Sequence, residues 1–320
     1  MAVEHGVGDD EAWAGVLCAA KDTQPLVATL FDAVAPLAAI PLFAQHCGDM
    51  ARVRTYVHSK RAAMRTALAA HGLGGYDEEH ALTIHAYTTE ADAAGLPLRL
   101  YDVVNSAMRS PTRGDGPGGI SAELRACMPY IKLLWVALES LPPAFHFSGK
   151  TFRGVQWAFP TPMHHEPPQV GDHDPERYFF RGRNFSWYEF KSSAMIYSVM
   201  YEKDFCGDRG PRTVFIIEGV KCYRIKIFSA VQREEEALFL PLTRFQVQDA
   251  QKKLEPARGH LTICTCPGRQ AGNHRAQCKP GGFPDEVHLV APGFEQEVPR
   301  ELKLKQVKSR CTKCLGGRAR

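Results

Sequence analysis

The chain has 320 residues, of which 44% are hydrophobic, 10% aromatic and 23% charged. These values exclude a mostly disordered chain, a fibrous repeat and a disulfide-dense miniprotein, and the length suits one large domain with or without an appendage. The net charge is +4, and residues 251–320 contain fourteen Lys or Arg against six Asp or Glu. Such a basic end could attract nucleic acid or an anionic membrane, but we favour a solvated tail.

Targeting signals are not evident in the sequence. Residues 1–10 are acidic and polar, whereas a signal peptide would be basic and then apolar. The most apolar run, residues 25–44, contains Asp32 and three prolines, which favours core helix and loop over a membrane span. We also find no hydrophobic tail of the kind that precedes lipid anchoring. The expectation is therefore an intracellular protein with reduced cysteines.

The first 142 residues have the apolar spacing of helices. Helical patterns cover residues 11–70, 100–109 and 130–141, and the last of these is apolar on all sides, as in a buried helix. Loops rich in Gly and Pro, such as 110–119, separate the helical patterns. This half is therefore predicted to be helical.

Beyond Pro142-Pro143 the pattern changes to short β-branched and aromatic runs, which are typical of strands. A helical half followed by a strand-rich half predicts an α+β fold, in which the helices pack on a mainly antiparallel sheet or sandwich. The predicted strands cover residues 151–157, 188–195, 213–220, 223–228, 237–240, 244–248 and 260–266.

Three polar motifs interrupt the strand-rich half. They are Arg153-Gly154, Ser192-Ser193 and the acidic triplet Glu234-Glu235-Glu236. Because side chains alternate along a strand, Glu234 and Glu236 would share one face, and a pair of carboxylates would enter whatever cavity that face lines. Taken alone, an acidic triplet before an apolar strand is more often a solvated strand entry.

The order and the flanks of these motifs resemble the mono-ADP-ribosyltransferases of the arginine-modifying type. In that family an Arg strand, a Ser-rich strand motif and Glu-x-Glu follow one another along the chain. The similar segments here are HALTIHAYTTE (80–90), LYDVVNSAMR (100–109), IKLLWVALESLP (131–142), KTFRGV (150–155), FKSSAM (190–195) and YRIKIFSAVQREEEALFLPLTRFQV (223–247).

The resemblance covers residues from about 24 to 266 and implies a domain organisation. A transferase domain would occupy residues 25–266, with a helical part at 25–142 packed on a mainly antiparallel β-sandwich at 143–266 and an NAD cleft. Residues 1–24 would form an N-terminal extension, and residues 267–320 a basic C-terminal extension that contains cysteines.

The resemblance also implies an enzyme that transfers ADP-ribose from NAD to arginine side chains of acceptor proteins and releases nicotinamide. Glu236 would stabilise the oxocarbenium-like ribose, and Ser192 would orient Glu236 or the ribose. Arg153 would hold the diphosphate of NAD, and Gly154 would let the backbone approach the nicotinamide amide. Glu234 would pair with the acceptor guanidinium and take its proton, because a Glu at this position accompanies arginine as the target in the family.

Two further features bear on the site. Phe185, or the pair Phe179-Phe180, could stack on nicotinamide, although an aromatic core role is at least as good an interpretation. The third position of the Ser motif is Ala194, which removes one hydroxyl and leaves the first serine intact.

Two other functions stay open at this stage. One is an NAD glycohydrolase, in which water takes the oxocarbenium, and the other is a binding module that has the fold without turnover. The expected partners are acceptor proteins that expose arginine, with no membrane span and no nucleic acid.

The C-terminal extension and the end of the predicted strand before it contain side chains of the types that zinc prefers, namely Cys264, Cys266, His274, Cys278, Cys311 and Cys314. Their spacing is irregular, and Cys264 and Cys266 end a predicted strand. Free thiols are therefore favoured over zinc. NAD, as a substrate, is the only small molecule that we expect the chain to require.

Overall fold

The computed structural model describes residues 7–8, 11–156, 159, 175–202, 205–207, 212–231, 233, 235–251 and 285–293. The α-helices are α1 (Glu11–Thr23), α2 (Leu30–Val34), α3 (Pro41–Cys47), α4 (Met50–Ala70), α5 (Glu78–Tyr87), α6 (Leu100–Arg109), α7 (Ala122–Glu139) and α8 (Pro175–Tyr178). Short 3₁₀ turns occupy Ala35–Ala39, Pro117–Gly119, Pro143–Phe145 and Tyr197–Tyr201.

Side-chain caps begin the helices that position the cleft. The Asp77 carboxylate accepts the backbone N–H of Glu79 at 2.7 Å at the start of α5. The Ser121 hydroxyl accepts the N–H of Leu124 at 3.1 Å at the start of α7. These oxygens satisfy backbone donors that have no partner inside the first turn of a helix.

Helix α7 is the centre of the helical part, where it contacts α1, α2, α5 and α6. The buried helix predicted at 130–141 is confirmed as the second part of α7. Trp135 of α7 packs against Phe190 of the sheet with ring centroids 6.5 Å apart. The helical core thus continues onto one face of the strands, where Tyr223 and Leu238 are buried.

Within the described ranges no single helix has the length and hydropathy of a membrane span. The bent pair Leu30–Ala39 and Pro41–Cys47 has that length and hydropathy only when its two helices are taken together.

The strands form one hydrogen-bonded sheet. They are β1 (Val7–Gly8), β2 (His146–Phe147), β3 (Thr151–Val155), β4 (Asn184–Trp187), β5 (Lys191–Ala194), β6 (Thr213–Glu218), β7 (Cys222–Arg224), β8 (Glu236–Phe239), β9 (Thr243–Gln251) and β10 (Asp285–Val290). Their order is β1-β4-β9-β10-β6-β3-β5-β8-β7-β2. Among the described strands only β10 and β6 pair in parallel, and the other pairs are antiparallel. The predicted α+β fold with mainly antiparallel strands is therefore confirmed.

The sheet curls so that its two parts enclose an aromatic core. Strands β3 and β5 share a single register pair, Phe152 with Ala194, and this junction divides the sheet. Phe239 of β8 lies 5.6 Å from Phe245 of β9 between ring centroids, although these strands are far apart in the strand order. Such contacts require the two parts to face each other, as in a sandwich.

Several predicted strands differ from the observed ones. The strand predicted at 188–195 is shorter in the structure, where it is β5 and begins at Lys191. A separate strand, β4, ends before it at Trp187. The strand predicted at 223–228 ends at Arg224, because the N–H of Phe228 donates to the Ile225 carbonyl at 2.9 Å and closes a turn. The strand predicted at 260–266 lies outside the described residues.

Parts of both predicted extensions belong to the folded core. Trp13 and Leu17 of α1 are buried against the other helices. Strand β10, within the predicted C-terminal extension, lies between β9 and β6 and buries Val287 and Leu289. The folded unit therefore extends beyond residues 25–266 on both sides.

Candidate functional site

A cleft of about 660 Å³ lies between the helical part and the sheet. From the helical side it is lined by Thr88, Glu90, Asn105 and Arg109, and from the strand side by Arg153, Gly154, Ser192 and Glu236. This volume is within the range of pockets that hold small molecules and cofactors. The structure therefore brings three of the predicted motifs, from β3, β5 and β8, to one cavity.

Glu236 and Ser192 share one face of adjacent antiparallel strands. Ala194 is the register partner of Glu236, and Ser192 is the partner of Leu238, so Ser192 and Glu236 are diagonal neighbours. Glu236 is only 7% exposed. Ala194, where the Ser motif departs from its family pattern, offers the carboxylate no side-chain hydrogen bond.

Two serines lie on the same side of the cleft as the Glu236 carboxylate. The Ser229 hydroxyl donates to Oε2 at 3.1 Å, and Ser192 lines the same cleft from the adjacent strand β5. Burial raises the pKa of Glu236, while the hydroxyls of Ser192 and Ser229 and the charge of Arg153 act in the opposite direction. The group is thus a buried carboxylate whose ionised form has partners in the cleft.

Arg153 supplies positive charge beside that carboxylate. Its Nη1 donates to the backbone carbonyl of Ser192 at 2.6 Å, which ties β3 to β5 beyond their single register pair. Burial, partly offset by nearby Tyr87 and Glu236, lowers the pKa of Arg153 to about 10. Arg153 is therefore still a cation at neutral pH.

Gly154 lines the cleft next to Arg153, and the fold itself requires glycine there. A Cβ atom at this position would lie 2.7 Å from the Cys206 Cβ and 3.0 Å from the Cys206 backbone nitrogen. Since Cβ atoms do not approach other heavy atoms so closely, the small residue permits the contact between β3 and residues 205–207.

Arg109 also lines the cleft, and the sequence motifs did not predict it as a site residue. Arg109 of α6 lies 3.3 and 3.2 Å from the two carboxylate oxygens of Glu189, which is itself 1% exposed. Lys191 also donates to Glu189. The available signal was the polar face of α6, since Asp102, Asn105 and Arg109 recur at helical spacing opposite the apolar stripe.

The acidic triplet is only partly described. Glu235 adopts a left-handed backbone conformation with φ of 46°, and its carboxylate pairs with Lys226. Its carbonyl accepts the N–H of Met195 at 3.1 Å, which connects the triplet to the end of β5. Glu234 lies outside the described residues, and so do the candidate zinc ligands Cys264, Cys266, His274, Cys278, Cys311 and Cys314. In the rest of the chain, as far as it is described, no three metal-ligating side chains cluster together.

Phe185 does not line the cleft. Its ring is 2% exposed in the core of the curled sheet, 5.6 Å from Phe179 and 5.6 Å from Phe245 between centroids. The alternative that the sequence left open, an aromatic core role, is the one that the structure shows for Phe185 and Phe179. Phe180 is 58% exposed and is also absent from the cleft.

Comparison with known proteins places these residues in a family context. A family profile described as NAD:arginine ADP-ribosyltransferase matches residues 53–263, a range that contains Arg153, Ser192, Glu234 and Glu236. We find no functionally curated protein with significant sequence similarity to the chain.

Similar solved structures include bacterial and eukaryotic proteins. The type III effector XopAI from Xanthomonas axonopodis pv. citri is 14% identical, with 88% of this chain and 94% of that chain covered and a TM-score of 0.48. The ADP-ribosyltransferase HopU1 of Pseudomonas syringae pv. tomato DC3000 is 17% identical, with 73% and 86% covered and a TM-score of 0.48. The eukaryotic mono-ADP-ribosyltransferase ART2.2 is 17% identical, with 82% and 85% covered and a TM-score of 0.44.

Proposed function

Because the chain belongs to the NAD:arginine ADP-ribosyltransferase family, we propose that it transfers ADP-ribose from NAD to arginine side chains of acceptor proteins. The use of NAD as substrate and the transfer of ADP-ribose follow from the family. Arginine as the acceptor and the roles of individual residues are the proposal. The observation that carries it is the buried carboxylate of Glu236, which accepts from the Ser229 hydroxyl and shares its cleft with Ser192 and a cationic Arg153.

Glu236 is suited to assist the breakage of the bond between ribose C1′ and nicotinamide. The nicotinamide ring of NAD is a cationic pyridinium, so it leaves as a neutral molecule and needs no general acid. What develops is positive charge on the ribose, as in glycoside hydrolysis. A carboxylate fixed in a poorly solvated cleft stabilises that charge more strongly than one in water does.

Arg153 and Arg109, which both line the cleft, are suited to the diphosphate of NAD. A guanidinium offers five N–H donors in a planar fork that matches phosphate oxygens. The bond from Arg153 to the Ser192 carbonyl uses only one of these donors. Arg109 is held in the cleft wall by the buried Glu189, so its position is set before any ligand binds.

Glu234 would act on the acceptor. A guanidinium has a pKa above about 12 and is a poor nucleophile, so an arginine needs a carboxylate that pairs with it and takes its proton. In the sequence, Glu234 precedes Glu236 by two residues, as the Glu-x-Glu motif of the family requires. This spacing supports arginine as the target residue.

A transfer assay tests this function. The protein would be incubated with NAD labelled in its adenylate part, with a small guanidino compound, with an alkylamine of similar size, or with neither. We expect a labelled adduct with the guanidino compound only, together with released nicotinamide. Nicotinamide release with no adduct in any reaction would contradict arginine transfer and identify an NAD glycohydrolase.

A further inference from the structure

A hydrogen-bonded chain connects helix α5 to the turn that precedes the catalytic motif. His85, on the last turn of α5, places Nδ1 2.8 Å from the carbonyl oxygen of Phe228. On the other side of the ring, Nε2 lies 3.1 Å from the hydroxyl of Tyr56 on α4. The stacked rings of Tyr56 and His85 are 5.9 Å apart between centroids. One side chain thus connects two helices to the turn at residue 228.

The protonation of His85 follows from these partners. A carbonyl oxygen can only accept, so Nδ1 carries the proton and donates to Phe228. Burial lowers the pKa of His85; the hydrogen bond to Phe228 opposes this shift and the charge of Lys60 reinforces it, so that the neutral ring is favoured at pH 7. In a neutral ring Nε2 is then an acceptor, and it receives the hydroxyl hydrogen of Tyr56.

The turn held by His85 leads directly to Glu236. Ser229, the next residue after Phe228, is 2% exposed and donates to the Glu236 carboxylate at 3.1 Å. The same hydroxyl accepts the N–H of Val231 at 3.0 Å. A second anchor comes from Thr88, just beyond α5, whose hydroxyl accepts the N–H of Ala230 at 2.9 Å. The end of α5 therefore fixes the turn on both sides of Ser229.

We propose that His85 is a positioning residue for catalysis: by holding the Phe228 carbonyl it fixes the turn 228–231, and with it the Ser229 hydroxyl that orients the Glu236 carboxylate. The inference rests on the proposed function in one respect, namely that Glu236 is the catalytic carboxylate. His85 itself is not among the residues that line the cleft. Its effect would be on the rate of bond breakage rather than on the affinity for NAD.

Three substitutions of His85 separate this role from a purely structural one. His85→Ala removes the donor. His85→Asn keeps an N–H donor one bond from Cγ, where Nδ1 lies, and His85→Gln moves that donor one bond further away. His80→Ala is the matched control, because His80 is on the same helix and also partly buried but its Nδ1 lies 3.2 Å from the Ser140 hydroxyl.

The measurements are kcat and KM for nicotinamide release, the melting temperature, and NMR exchange rates of the Ala230 and Val231 amides. We expect His85→Ala and His85→Gln to lower kcat about 10-fold or more, with KM for NAD within about 2-fold of the parent, because small misplacements at a catalytic site are costly. Both should also accelerate exchange at the two amides. His85→Asn and His80→Ala should leave kcat and exchange within about 3-fold of the parent.

The outcomes distinguish this inference from the proposed function. If all His85 variants keep the parent kcat and amide exchange and differ only in melting temperature, His85 has a structural role and the inference is wrong. If His85→Ala does not fold, the contrast between His85→Asn and His85→Gln decides. If the parent protein released no nicotinamide, the proposed function alone would be contradicted. The amide exchange rates of the variants would still show whether His85 fixes the turn.

Discussion

Replacing Glu236 with Gln is expected to reduce nicotinamide release from NAD by at least about 10²-fold, the scale of removing one preorganised electrostatic group. The amide has nearly the same shape as the carboxylate, and its oxygen can still accept from Ser229. What it lacks is the negative charge that faces the developing positive charge of the ribose. The expected loss is therefore in kcat, and it should be seen with and without an acceptor.

The neighbouring Glu235 provides the control for this substitution. Its carboxylate pairs with Lys226 and is partly exposed, and it is not part of the cleft wall. Glu235→Gln removes the same charge one residue away and should keep nicotinamide release near that of the parent. Near-normal release by Glu236→Gln, or an equal loss in both variants, would remove Glu236 from the catalytic role.

Glu234→Gln is expected to separate transfer from hydrolysis. Transfer of ADP-ribose to a guanidino acceptor should fall by roughly 10²-fold or more, the usual scale for a positioned base. Release of nicotinamide in the absence of acceptor should persist, because Glu236, Arg153 and Arg109 are unchanged.

Both activities of Glu234→Gln are measured in one reaction, by quantifying free nicotinamide and labelled adduct. A parallel loss of both would contradict the division of roles between Glu234 and Glu236. Transfer at the parent rate would mean that another group takes the proton of the acceptor.

The α+β fold could be predicted because helical and strand periodicities occupy separate halves of the chain. Strand β10 illustrates what could not be predicted. Its residues alternate, with Val287 and Leu289 buried, but the run is short and follows a long basic stretch rich in Gly and Pro. Its place between β9 and β6 depends on pairing with strands remote in sequence, and no local pattern encodes that pairing.

The candidate site is also only partly predictable, because some of its contacts join segments that are remote in sequence. Arg153, Ser192 and Glu236 were predicted because they occur within motifs whose order and flanks are specific. Ser229 and His85 are single polar residues, and their significance depends on contacts with residues far from them in the sequence or on the other side of a turn. Since each has an ordinary interpretation in its own segment, only the folded arrangement reveals their connection to Glu236.

The sequence could not show whether Phe185 borders the cleft, for a related reason. Alternation along β4 places Phe185 and Trp187 on one face, but it does not say whether that face borders the cleft or the interior of the curled sheet. The answer depends on the curling of the sheet, which brings Phe239 of the remote strand β8 against Trp187, whereas Phe245 lies beside Phe185 on the adjacent strand β9.

The structure of the Glu236→Gln protein with NAD bound tests the central claim most directly, because the slow variant should retain the intact dinucleotide. We expect ribose C1′ of the nicotinamide half within about 3.5 Å of the side chain at position 236, the separation of reacting groups in a productive complex. The diphosphate should lie within hydrogen-bonding distance of Arg153 or Arg109. NAD bound outside this cleft, or bound with its adenine end at position 236, would contradict the account.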